Sequence, residues 1–149
     1  MSQSFATKNL KPSPQQAAIE LLRRRRARSS SLGFVEYTSP RWKAGKVHRA
    51  ICAALDRVRA KEVDRLLLLV PPQHGKSQIT SRRIPALFMA DDPTRDIIQA
   101  SASSELADGF GADVRNCVRS EEFKRLFPGI SLSEDSQARG RWATNHGGK

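Results

Sequence analysis

The run Leu66-Leu67-Leu68-Leu69-Val70 passes without a break into Pro71-Pro72-Gln73-His74-Gly75-Lys76-Ser77 and then into helix-forming residues. A strand, a tight loop and a helix in that order constrain the fold, because the loop has the residue types of a phosphate cradle. Gly75 permits a sharp turn beside an anion, and backbone N–H groups at the start of the following helix point at it. Lys76 has the length and charge to reach the β and γ phosphates, and the Ser77 hydroxyl suits Mg²⁺. The candidate nucleotide-binding residues are therefore Pro72, Gln73, His74, Gly75, Lys76 and Ser77, with ATP and Mg²⁺ as the implied cofactors and Ser77 as the metal ligand. Val70 stands where the usual pattern has its first Gly, so only the Gly-Lys-Ser half is standard. The competing reading is an ordinary strand-to-helix turn carrying an exposed lysine.

Helix signals continue from Lys76 to about Met89, with Pro85 expected to kink or end that helix. Asp91-Asp92-Pro93 reads as a turn, and Asp96-Ile97-Ile98-Gln99-Ala100-Ser101 as a second strand. A helix over 105–119 follows, with Ser104 as its N-cap and Leu106, Phe110, Val114, Cys117 and Val118 as its buried side. Alternating strands and helices predict an α/β fold built on a parallel sheet, with the loop beyond the carboxyl end of its strand. Arg141 to Thr144 has the composition to start another strand.

Before the apolar run, residues 1–13 are polar and unpatterned, and Ser13-Pro14 followed by Gln15-Gln16 starts a helix over 14–28. That helix ends in Arg23, Arg24, Arg25, Arg26 and Arg28, ahead of Ser29-Ser30-Ser31, which reads as a flexible link. Five arginines exceed what a helix dipole calls for, so they are candidate contacts to a DNA backbone. Residues 33–42 are aromatic-rich and read as irregular. A helix over 46–61 carries the stripe Val47, Ala50, Ile51, Ala54, Leu55 and Val58, with His48 off the stripe and read as a satisfied surface histidine. The expected organisation is a basic, partly flexible extension over 1–32 and an incomplete phosphate-loop ATPase domain over 33–149.

The formal charge is +11, and residues 1–65 hold 15 Lys+Arg against 5 Asp+Glu, so +10 of it lies there. Such a surface suits a polyanionic partner, double-stranded DNA above all. Cys52 and Cys117 have no metal-ligand spacing and read as buried thiols. No apolar stretch reaches the length of a membrane span, so no membrane partner and a cytoplasmic location are expected.

Taken in order, Phe34-Val35-Glu36-Tyr37, Pro71-Pro72-Gln73-His74-Gly75-Lys76-Ser77, Ser81-Arg82-Arg83-Ile84-Pro85, Ala100-Ser101, Phe127-Pro128-Gly129 and Trp142-Ala143-Thr144 resemble the large terminase subunit of tailed bacteriophages. The resemblance runs from about residue 20 onward. It implies the front part of a DNA-packaging ATPase of the additional-strand type, acting in a bacterial host cell with the small terminase subunit and the portal protein as partners. By the same resemblance Gly75, Lys76 and Ser77 take the phosphate and Mg²⁺ roles, and the segment around Tyr37 to Trp42 borders the adenine. Many members carry Arg at the position of Gln73, and the charge-stabilising role of that arginine does not carry over. The family's acidic strand ending in Asp-Glu and its nuclease domain have no counterpart after Gly148, so the chain is read as a fragment, marginally stable by itself and competent at most for nucleotide or DNA binding. The alternatives are a basic DNA-binding module without nucleotide chemistry and a piece of another phosphate-loop enzyme such as a kinase or helicase.

Overall fold

Ser13 sets the first helix in place. Its hydroxyl accepts from the Gln16 N–H at 3.2 Å, Gln16 Oε1 accepts from the Ser13 N–H at 2.9 Å, and Pro14 has no N–H to satisfy in the first turn. In the computed structural model, which describes residues 13–137 and 141–149, this helix, α1, spans Pro14–Ser29. The remaining elements are α2 (Ser31–Thr38), α3 (Lys46–Arg59), α4 (Lys76–Thr80), α5 (Ile84–Asp91), α6 (Ser104–Arg119), α7 (Glu121–Leu126), β1 (Leu132–Gln137) and β2 (Trp142–Thr144). Residues 1–12, read as polar and unpatterned, lie outside the described residues, as do residues 138–140.

Ser30 ends α1 and begins α2. Its N–H donates to the Arg26 carbonyl at 3.1 Å, and its hydroxyl accepts from the Gly33 N–H at 3.0 Å, so the serine run forms a capped corner. The segment expected to be irregular from residue 33 is thus helical as far as Thr38. Gly33 permits the corner to close, since a Cβ there would lie 2.5 Å from the Arg26 carbonyl oxygen. Phe34 and Val35 are fully buried, and Phe34 meets Phe123 of α7 edge-on, with ring centroids 6.3 Å apart and planes at 87°. Phe127 packs 5.1 Å from Phe123, completing an aromatic cluster that joins α2 to α7 and the residue after it.

Arg59, only 12% exposed, ties three helices together. Its guanidinium donates to both Asp91 oxygens at 2.7 and 2.8 Å and to the Arg28 carbonyl at 3.1 Å, and Nη1 lies 3.5 Å from Asp56. The Asp91 hydrogen bond is the main reason its pKa rises above the usual arginine value. Ile51, Cys52 and Leu55 of α3, Ile84 to Leu87 of α5, and Val114, Cys117 and Val118 of α6 fill the core between these ties. Burial pushes both thiols up to about 11, consistent with the expectation of buried cysteines.

The α/β expectation is corrected here. The described residues contain seven helices and one two-stranded antiparallel sheet, β1 with β2, in which Leu132 pairs with Thr144 and Gln137 with Trp142 across a bulge. Segments 66–70 and 96–101 are extended but unpaired with each other. Leu68 and Val70 pack on the core while Leu67 and Leu69 are 80% and 85% exposed, and Ile98 is 95% exposed beside a packed Ile97. The alternation is that of strands, but the Ile97 N–H donates to the Lys149 carbonyl at 2.6 Å, not to the Leu66 to Val70 segment. Two parallel strands covered on one face bury too little to form a stable ladder, so β-type composition yields extended chain without a sheet. Pro85 is also corrected in role: it sits in the first turn of α5, so the helix expected over 76–89 is divided by a turn at 81–83. No helix among the described residues is long and apolar enough to cross a membrane.

Candidate functional site

The loop over 72–77 turns on two residues with left-handed backbone, Gln73 (φ 63°) and Gly75 (φ 71°). Gly75 is followed by helical Lys76. A left-handed residue followed by a right-handed one turns successive N–H groups toward a common point, which is how backbone nests hold anions. The N–H groups of His74, Gly75, Lys76 and Ser77 have no backbone acceptor among the described residues.

His48 supports this loop from below. The Gly45 N–H donates to its Nδ1 at 3.0 Å, which leaves Nε2 to carry the proton and donate to the His74 carbonyl at 3.0 Å. That bond draws the His74 carbonyl toward α3 and turns the Gly75 N–H of the same trans peptide the other way. The imidazole ring packs against Trp42 with centroids 4.9 Å apart. A Cβ on residue 75 would sit 2.7 Å from His48 Nε2, so a side chain there would have to displace the imidazole as well as adopt φ 71°. His74 is itself braced, its Nδ1 lying 2.8 Å from the Pro72 carbonyl.

All six sequence-derived loop residues, Pro72 to Ser77, line one cavity of about 600 Å³ together with Val70, Pro71, Gln78 and Arg82. That volume lies within the range of about 300 to 1,000 Å³ typical of small-molecule sites. Lys76 and Arg82 bring two positive charges to the cavity, and no carboxylate lines it. A separate cleft of about 450 Å³ lies among α5, α6 and residues 96–99; its lining includes Asp96 and Asp108 together with Arg141 and Lys149, so its side-chain charges balance. The lining of the first cavity, with Lys76, Ser77 and Arg82 and no carboxylate, suits an anion such as a phosphate group. Mg²⁺ fits as an ion carried by the phosphates, with Ser77 supplying one oxygen; no cluster of three or more His, Cys, Asp or Glu side chains suited to a metal occurs among the described residues.

The arginines of α1 differ in their partners. Arg24 pairs with Glu20 at 2.8 Å, Arg26 with Glu36 at 3.1 Å, and Arg28 Nε donates to the Leu126 carbonyl at 2.8 Å. Arg23 and Arg25 have no ion pair among the described residues and stand exposed. Tyr37, expected near a base, instead donates to Glu20 at 2.5 Å. That bond, with Arg24 second, holds the Glu20 carboxyl below its ordinary value. Trp42 packs on His48, whose Nε2 reaches the His74 carbonyl.

His48 and Arg82 were not singled out as site residues by the sequence reading. The signal for His48 lay in its place three residues after Gly45, where a side chain can accept from the N-cap N–H. Arg82 carried no local signal. The chain was compared with protein-family models, with curated proteins and with solved structures, and none matches it.

Proposed function

We propose that the loop over 72–77 binds the polyphosphate of a nucleoside triphosphate with Mg²⁺, and that the chain is part of a DNA-packaging ATPase of the terminase large-subunit type. The observation that carries the reading is the cavity lined by Lys76, Ser77 and Arg82, which has two cations and no carboxylate in its lining. Phosphate binding by the loop itself requires no parallel sheet. Lys76 neutralises phosphate charge, the N–H groups at 74–77 donate to the phosphate oxygens, and Ser77 supplies one oxygen to the magnesium. The proposal is of binding. No carboxylate lines the cavity to position an attacking water.

Double-stranded DNA is the macromolecular partner that the +11 charge and the resemblance together support. Arg23 and Arg25 are the α1 cations free to meet it. The test of the nucleotide reading is titration calorimetry of the chain with MgATP. Saturable binding that weakens at least about tenfold in Lys76→Ala is expected, since a charge-assisted hydrogen bond contributes about 1.5–3 kcal/mol. DNA binding that falls with salt, with no heat from MgATP, would replace this reading with that of a basic DNA-binding module.

A further inference from the structure

We infer that Arg82 is a second phosphate-binding residue, held on α6 by Asp113 and Phe110 in the free chain and drawn to the terminal phosphate of a bound nucleoside triphosphate; the inference rests on the nucleotide reading above. Arg82 lies in the 81–83 turn between α4 and α5 and lines the same cavity as Lys76 and Ser77. The backbone of that turn is fixed from two sides. Arg83 donates through Nε to Ser39 Oγ at 2.8 Å and through Nη1 to the Arg82 carbonyl at 3.1 Å, and Gln99 Nε2 donates to the Ser81 carbonyl at 2.8 Å. Of the two adjacent arginines, Arg83 is therefore committed to the scaffold. Arg82 keeps its side chain for the cavity side.

Its present contacts are weak ones. Nε lies 3.4 Å from Asp113 Oδ2, a single approach, and the two side chains are 43% and 38% exposed. Solvent-screened pairs of this kind are the least stabilising class of ion pair. The guanidinium carbon also lies 5.7 Å from the Phe110 ring centroid, a flat apolar surface on which a guanidinium can slide while keeping its charge. A phosphate group offers greater charge and several acceptor oxygens, which match the guanidinium fork better than one carboxylate oxygen does. Occupation of the cavity by a triphosphate thus displaces Asp113 from Arg82 and releases a link between the loop region and α6. A diphosphate, lacking the outermost group, leaves the pair in place.

The test compares a non-hydrolysable MgATP analogue with MgADP on the intact chain by titration calorimetry. Arg82→Ala should weaken the triphosphate analogue about tenfold, the loss of a charge-assisted contact, and change MgADP by less than about twofold. Asp113→Asn should tighten the triphosphate by about two- to fivefold, because it removes the competing anion. Opposite signs at the two ends of one ion pair distinguish this role from a structural one, in which both variants lose thermal stability and shift affinity in the same direction. Unchanged triphosphate affinity in Arg82→Ala, with binding still lost in Lys76→Ala, would overturn this inference alone. No binding of either nucleotide by the unaltered chain would overturn the nucleotide reading and the inference together.

Discussion

Gly75→Ala tests the loop's architecture, because two separable physical effects act on one methyl group. At φ 71° a non-glycine residue costs about 1–2 kcal/mol in local backbone energy. The new Cβ would also lie 2.7 Å from His48 Nε2 and must push the imidazole away. His48 then loses its bonds to Gly45 and His74, each worth about 1 kcal/mol net. The sum is about 3–4 kcal/mol in the unaltered background. In His48→Ala the clash is gone and only the backbone cost of about 1–2 kcal/mol remains, so the two substitutions should couple by about 2 kcal/mol. Urea unfolding of the four chains of this double-mutant cycle measures the coupling directly. An equal cost of Gly75→Ala in both backgrounds would refute the contact between α3 and the loop.

Other perturbations probe the scaffold around the site. Arg59→Ala should cost about 2–3 kcal/mol and lower the melting temperature by several degrees, since it leaves Asp91 and the Arg28 carbonyl without their shared donor; a change under about 0.5 kcal/mol would remove Arg59 as the tie between α1, α3 and α5. Glu20, its pKa lowered first by Tyr37 and then by Arg24, contributes stability above the ordinary carboxylate pKa that is lost as pH falls through its depressed folded value. Glu20→Gln should therefore show a smaller drop in melting temperature between neutral pH and about pH 3. Replacing Leu67 and Leu69 by Gln should change stability by less than about 0.5 kcal/mol and improve solubility, because both side chains already face solvent; a loss above about 2 kcal/mol would show them buried. In DNA binding, neutralising Arg23 or Arg25 should reduce the salt slope by about one each, whereas Arg28→Ala should mainly perturb the helix junction at Leu126.

Helix ends written into neighbouring residues were legible in the sequence. Ser13, Pro14 and Gln16 specify the start of α1 through local bonds, and the stripe of α3 identified Ile51 and Leu55 as core. The N-cap of α6 fell one residue early, on Ser103, whose hydroxyl accepts from the Leu106 N–H. Helix α2 was missed because Phe34, Val35, Tyr37 and Thr38 favour extended chain by themselves; the Ser30 cap and burial against Phe123 override that preference. The two apolar extended segments were misread in the opposite sense, since a strand needs a neighbour to complete its ladder and composition does not supply one. The polar strand β1 has no alternating apolar pattern to betray it.

The site divides in the same way. Pro72 to Ser77 could be read together because they are contiguous in the chain, and they line one cavity. His48 lies 26 residues before His74 and reaches the loop through folding alone. Arg82 shares the cavity because the 81–83 turn interrupts the helix that residues 76–89 were expected to form.

The most direct test of the central claim is a two-dimensional amide NMR titration of the ¹⁵N-labelled chain with MgATP. The account predicts saturable shifts largest at Gly75, Lys76 and Ser77, with smaller ones at His48 and in the 81–83 turn. Shifts confined to the α1 arginines, or none at the loop in nucleotide excess, would contradict it.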